Sequence, residues 1–165
     1  MKKNNIAIIL ARGGSKGIKN KNLHKVNKMP LVYWSIKSCL KASEISSVWV
    51  SSDNKKILKL SKKYKANIIR RPKKISGDYS SSEEAWRHAL IYIKSKIKNI
   101  DAVVGIQPTS PIRPSKLLNN GLKKFYKEKL DSLFTAQKIS TNFVWKTSHG
   151  KFEANYNYKK RPMRQ

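Results

Sequence analysis

Residues 6–17 read Ile6-Ala7-Ile8-Ile9-Leu10-Ala11-Arg12-Gly13-Gly14-Ser15-Lys16-Gly17. The run Ile6 to Leu10 is unbroken by any polar residue, the mark of a strand buried on both faces. It passes directly into a glycine-rich, basic turn.

Outward from this stretch, the same alternation recurs. Pro30 precedes a helical pattern carried by Leu31, Trp34, Ile36 and Leu40. Val48-Trp49-Val50-Ser51-Ser52 reads as a second strand closed by Asp53-Asn54, and Ile57, Leu58, Leu60 and Tyr64 mark the next helix. Asn67-Ile68-Ile69-Arg70 is a third strand, ended by Pro72. Ser80-Ser81-Ser82-Glu83-Glu84 is a helix start, with hydroxyls to cap and acids in the first turn. Ser82 is a natural N-cap there. Asp101 to Ile106 reads as a fourth buried strand, ending at the rigid turn Gln107-Pro108-Thr109-Ser110-Pro111. A helix is expected from Pro114 to about Lys127, and a fifth strand at Ser132-Leu133-Phe134-Thr135-Ala136. Alternating strands and helices define an α/β class with a mainly parallel sheet. After Gln137 the pattern changes, and Phe143 to Tyr158 is expected to form extended, hairpin-like structure.

The chain has 165 residues, with 37 Lys+Arg against 9 Asp+Glu, a formal charge of +28. A length of this order suits a single core. Thirty of the cations are Lys and seven are Arg, spread along the whole chain. Sequence-specific base readout leans on Arg, and no helix-turn-helix, zinc-finger or aromatic RNA-binding signature accompanies the charge. A solvated lysine surface is therefore preferred over a specific nucleic-acid site. A basic nucleic-acid-binding module stays as the alternative from another class. The lone cysteine, Cys39, excludes an intrachain disulfide and a multi-cysteine zinc site. No run approaches a membrane span, and Met1-Lys2-Lys3 leads only to a short apolar stretch, so neither a membrane anchor nor a signal peptide is expected. A cytoplasmic location follows as an expectation.

In parallel sheets, ligands bind beyond the carboxyl ends of the strands. Three unusual segments fall there: Arg12 to Asn22, Ser51-Ser52-Asp53, and Gln107 to Arg113. Glycines at 13, 14 and 17 let backbone N–H groups approach an anion, while Arg12, Lys16, Lys19 and Lys21 add cations. Together they suit a triphosphate. The loop is neither a Walker A nor a G-x-G-x-x-G fingerprint. On spacing alone, a solvated basic loop competes with this reading. Asp53 is read as a turn residue, and Trp34, Trp49 and Trp86 as core.

Ile8 to Gly17, followed by Lys21-Asn22-Leu23, resembles the N-terminal signature of the acylneuraminate cytidylyltransferases (CMP-sialic acid synthetases). Val50-Ser51-Ser52-Asp53, Arg71-Pro72 with Asp78 and Ser82, and Gln107-Pro108-Thr109-Ser110-Pro111-Ile112-Arg113 agree in order and spacing. The closing Arg161-Pro162-Met163-Arg164-Gln165 is similar to a further family segment. Leu10 stands where many relatives have proline.

The resemblance implies a Rossmann-like, three-layer nucleotidyltransferase fold. Residues 1–138 would be an incomplete nucleotide-binding α/β core, and 139–165 the start of an extended dimerisation and sugar-binding arm. The implied reaction joins CTP to a nonulosonic (sialic-type) acid, giving the CMP-sugar and pyrophosphate. Related substrates are pseudaminic, legionaminic and 3-deoxy-manno-octulosonic acids. By resemblance, Arg12, Lys16 and Lys21 hold the triphosphate, with Lys21 stabilising charge in the transition state. Gly13, Gly14 and Ser15 would cradle phosphates. Asn22, Arg71 and Ser82 match cytidine-contacting positions, Gln107 a sugar-contacting one, and Arg164 with Gln165 the sugar carboxylate site, reached across a homodimer interface.

The family's Mg²⁺ site implies a close pair of aspartates. The four aspartates here, at 53, 78, 101 and 131, do not match that pair. The metal ligands are accordingly expected in a further C-terminal segment, the chain is expected to be truncated, and its activity impaired.

Overall fold

The computed structural model describes residues 3–15, 17–136, 145–148 and 151–154. Strand β1 (Asn5–Leu10) is followed by a 3-10 turn at Lys21–Leu23 and a short antiparallel pair, β2 (Lys25–Val26) and β3 (Met29–Pro30). Then come α1 (Leu31–Leu40), β4 (Ser47–Ser52), α2 (Lys55–Lys63) and β5 (Asn67–Arg70). A 3-10 turn at Lys73–Ile75 leads to α3 (Ser82–Lys94), β6 (Ala102–Ile106) and α4 (Leu117–Lys127). The antiparallel pair β7 (Trp145–Ser148) and β8 (Lys151–Ala154) comes last. Residues 1–131 form one compact unit and 132–165 a second.

The main sheet is parallel throughout, in the order β5-β4-β1-β6. Its core explains the unbroken apolar run. Ala7, Ile9 and Ala11 pack on one face with Val32, Ile36 and Cys39 of α1 and Ile57 of α2. Ile6 and Ile8 pack on the other with Trp49, Ile69 and the α3 residues Ala89 and Ile93. All five of Ile6, Ala7, Ile8, Ile9 and Ala11 are fully buried. Helices on both faces of a parallel sheet make the three-layer, Rossmann-like α/β arrangement.

The chain moves outward from β1 to β4 and β5, then returns to place β6 on β1's other side. The strand order therefore reverses beside β1, which leaves a crevice at the carboxyl ends of β1 and β6. Register carries the neighbouring loops to the same edge: Leu10 pairs with Ser51, Ser52 with Arg70, and Ile9 with Ile106.

Four local expectations are corrected. Residues 132–136 form no strand: a strand needs a ladder partner, and none of the described strands pairs with them, while Phe134 is 84% exposed. The strand β6 is only partly buried, because it lies at an edge of the sheet, and Val103 is exposed. The N-cap of α3 is Ser81, which accepts from Glu84 N at 3.1 Å, and Ser82 is the first helical residue. Trp34 is half-buried and donates to Val26 O at 3.0 Å, tying α1 to the β2–β3 pair. That pair turns through Asn27 and Lys28, both at positive φ, so the usual glycine signal for such a turn is absent.

Candidate active site

The crevice beside β1 is a cleft of about 290 Å³. Of the residues singled out in the sequence, Arg12, Ser15, Lys21, Asn22, Arg71, Ser82 and Gln107 all line it. Gly13 and Gly14 belong to the same loop but do not line the cleft. Lys16, Arg164 and Gln165 lie outside the described residues.

Hydrogen bonds hold the glycine loop and its neighbours in place. Asn22 is buried in the 3-10 turn, and its Nδ2 donates to Arg12 O at 2.8 Å, folding the loop back onto itself. Asp53, just after β4, accepts the Gly13 N–H at 2.8 Å. Its turn role is therefore to moor the glycine loop to the neighbouring strand. Gly13 must be glycine for a packing reason: a Cβ there would stand 2.8 Å from Asn54 Cβ. Asn54 is itself committed as the N-cap of α2, accepting from Lys56 N and Ile57 N. Gly14 has open space around the equivalent position.

Arg12 Nη1 donates to Gly77 O at 2.9 Å and Asp78 Oδ1 at 3.1 Å. This joins the glycine loop to residues 76–82, which form the opposite wall of the cleft. Arg71 follows β5 and is only 6% exposed, yet its Nε and Nη2 lack hydrogen-bond partners. Burial pulls its pKa below the ordinary guanidinium value, the Asp53 carboxylate opposes that shift, and the Arg12 cation adds to it. A buried arginine with unsatisfied donors is costly. Its position on the cleft wall makes an acceptor-bearing, anionic or carbonyl-rich ligand the natural relief.

Trp86 was expected in the core, and it does pack against the α3-side cluster. It is nonetheless half-buried and lines the cleft. It leans on Gly105 of β6, where an added Cβ would meet the ring at 3.0 Å. The clue in the sequence was its place one helical turn after Ser82. Asp78, part of the motif that begins with Arg71-Pro72, is the partner of Arg12.

A parallel α/β sheet whose reversal point carries a basic glycine loop belongs to the nucleotide-binding class of architectures. Residues 6–159 match the family model described as cytidylyltransferase, and the chain belongs to that family. It is 35% identical over 140 residues to N-acylneuraminate cytidylyltransferase A of Danio rerio, covering 85% of this chain and 31% of that protein. It is 34% identical over 134 residues to pseudaminic acid cytidylyltransferase of Campylobacter jejuni strain 81-176, covering 80% of this chain and 57% of the relative. The chain thus spans less than two thirds of the length of these relatives. The solved structure of CMP:2-keto-3-deoxy-manno-octonic acid synthetase complexed with CTP superposes with a TM-score of 0.63, covering 77% of this chain and 49% of that one. At 17% identity that likeness is one of fold. The resemblance read in the sequence and the three-layer fold it implied both hold.

Proposed function

We propose that the chain binds CTP and a nonulosonic acid and takes part in their conversion to the CMP-sugar and pyrophosphate. The observation that carries this reading is the convergence of Arg12, Lys21 and the buried, unsatisfied Arg71 on one cleft at the sheet's reversal point. Membership of the cytidylyltransferase family and the names of its relatives support it.

In this reading the sugar's anomeric hydroxyl oxygen forms a bond to the α-phosphorus. The bond from that phosphorus to the bridging oxygen of the β-phosphate breaks, pyrophosphate leaves, and the hydroxyl proton goes to solvent or base. Arg12 and Lys16 neutralise the triphosphate, Lys21 stabilises charge that develops during the transfer, and the amides of the 13–15 loop approach phosphate oxygens. Asn22, Arg71 and Ser82 hold the cytidine half. Gln107 faces the acid, and Arg164 with Gln165 take its carboxylate.

Mg²⁺ is the metal such a reaction calls for. Among the described residues no group of three His, Cys, Asp or Glu side chains could hold a metal ion. Asp78 is paired with Arg12 and Asp53 accepts from Gly13. A hard cation takes oxygen ligands, commonly one or two carboxylates beside substrate phosphates, and Asp78 is the carboxylate that lines the cleft among the described residues. Residues 1–138 serve as the nucleotide-binding core and 139–165 as the start of an arm in a cytoplasmic homodimer. No helix among the described residues is long and apolar enough to cross a membrane.

The test is calorimetric titration with CTP, ATP and a random oligonucleotide at about 150 mM salt, beside pyrophosphate release with CTP and a panel of nonulosonic acids. Saturable preference for CTP is expected of the chain, with acid-dependent release impaired in it and restored in the whole protein. Salt-labile oligonucleotide binding alone would favour the basic nucleic-acid module instead.

A further inference from the structure

The turn after β6 has little means of holding itself. Pro108, Pro111 and Pro114 remove amide donors from it, and residues 110–114 adopt no regular structure. Ser110 N reaches Gln107 O only at 3.5 Å. Yet Gln107, Pro108 and Thr109 line the cleft, so the direction in which this turn leaves the sheet shapes the site.

Thr109 Oγ1 reaches Gln107 Oε1 at 3.5 Å, and a single guanidinium fastens the turn to α1. Arg113 Nη2 donates to Gln107 O at 2.6 Å, and its Nη1 donates to Ser35 Oγ at 3.2 Å. Ser35 is fully buried on α1, between Val32, Ile36 and Cys39 of the core. The fork thus ties the first residue of the proline-rich turn to a fully buried position of α1. Both acceptors are neutral. Burial draws the Arg113 pKa below its ordinary value, against a smaller opposing influence from the Cys39 thiol. A half-buried cation resting on a hydroxyl and a carbonyl is an expensive way to fasten a loop. A planar fork that reaches two acceptors at once has no lysine equivalent.

We propose that Arg113 is a positioning residue for the acid-binding side of the cleft: by clamping the Gln107 carbonyl to Ser35 of α1, it fixes the direction from which the Gln107 side chain enters. This assignment rests on the proposed reaction. Arg113 itself does not line the cleft, so its effect passes through Gln107.

Arg113→Lys and Ser35→Ala in the whole protein test it, through separate KM values for acid and CTP, kcat, and amide hydrogen exchange of residues 107–112. Arg113→Lys keeps the charge and loses the fork. It is expected to raise the KM for the acid at least about tenfold, since small misplacements of positioning groups are amplified, with the KM for CTP within about twofold and faster exchange of the turn. Ser35→Ala, which removes one anchor of two, is expected to show the same split at smaller size. Parallel rises in both KM values, or an unchanged acid KM in a wild type that does turn over the acid, overturn the positioning role alone. A wild-type protein that turns over no nonulosonic acid overturns the reaction reading and this role together.

Discussion

Arg12 Nη1 lies 3.1 Å from Asp78 Oδ1, so the cation at the head of the glycine loop is held by a carboxylate from the opposite wall of the cleft. Both side chains are more than a third exposed, which limits the strength of the pair. A triphosphate would compete directly with Asp78 for the same guanidinium. Asp78→Asn keeps the shape and removes the competing charge. Calorimetry is expected to show CTP binding tightened about two- to fivefold, the range an exposed pair contributes. Weaker or unchanged binding would remove Arg12 from the set of triphosphate ligands.

Arg71 joins stability to function in opposite senses. Its buried Nε and Nη2 carry an unmet hydrogen-bonding demand of about 1–3 kcal/mol. Arg71→Met fills similar space without that demand. Thermal unfolding should occur at the same or a higher temperature, while CTP affinity falls by at least about tenfold. A variant that unfolds earlier and binds CTP normally would mean the arginine serves the fold.

The two neighbouring glycines should behave differently. Gly13→Ala places a methyl group 2.8 Å from Asn54, the residue that caps α2. Urea denaturation is expected to show a loss of about 1–3 kcal/mol from overpacking and a disturbed cap. Gly14→Ala meets nothing within 4 Å and should change stability little. Equal losses at the two sites would contradict the packing account.

Lys21 lines the cleft from the 3-10 turn after the glycine loop. If it acts on the transition state, Lys21→Ala should lower kcat far more than CTP affinity. Matched losses in steady-state kinetics and equilibrium binding would reduce it to a ground-state anion contact.

Cys39 is buried on α1, and burial pushes its thiol up to about 12, with Arg113 opposing. The folded pKa is above the ordinary value of 9.0, so the unfolded chain loses this proton first as pH rises. The stabilisation is complete below about pH 9 and is lost progressively towards pH 12. At neutral pH the thiol should resist a disulfide reagent until the protein unfolds. Rapid labelling of the native protein, followed by absorbance, would show that the α1 face opens readily.

Local patterns were enough to read the order of the elements. The apolar run at Ile6–Leu10, the hydroxyl-rich start of α3 and the proline-bounded strands each answer to short-range rules of burial, capping and backbone geometry. The glycine loop and the Gln107 turn were readable for the same reason, since their residue types are unusual within a few positions of a strand end. Ser132–Ala136 failed as a strand because pairing is a relation between distant segments, which apolar character alone does not supply.

The long-range partnerships in and around the cleft could not be read along the chain. Arg12 with Asp78, Gly13 with Asp53 and Arg113 with Ser35 join residues 66, 40 and 78 positions apart. They exist because strand order reverses at β1 and parallel register lines up the carboxyl ends of four strands. Identity of residues sets which charges and donors are available; long-range packing sets which of them face one another, and with what burial.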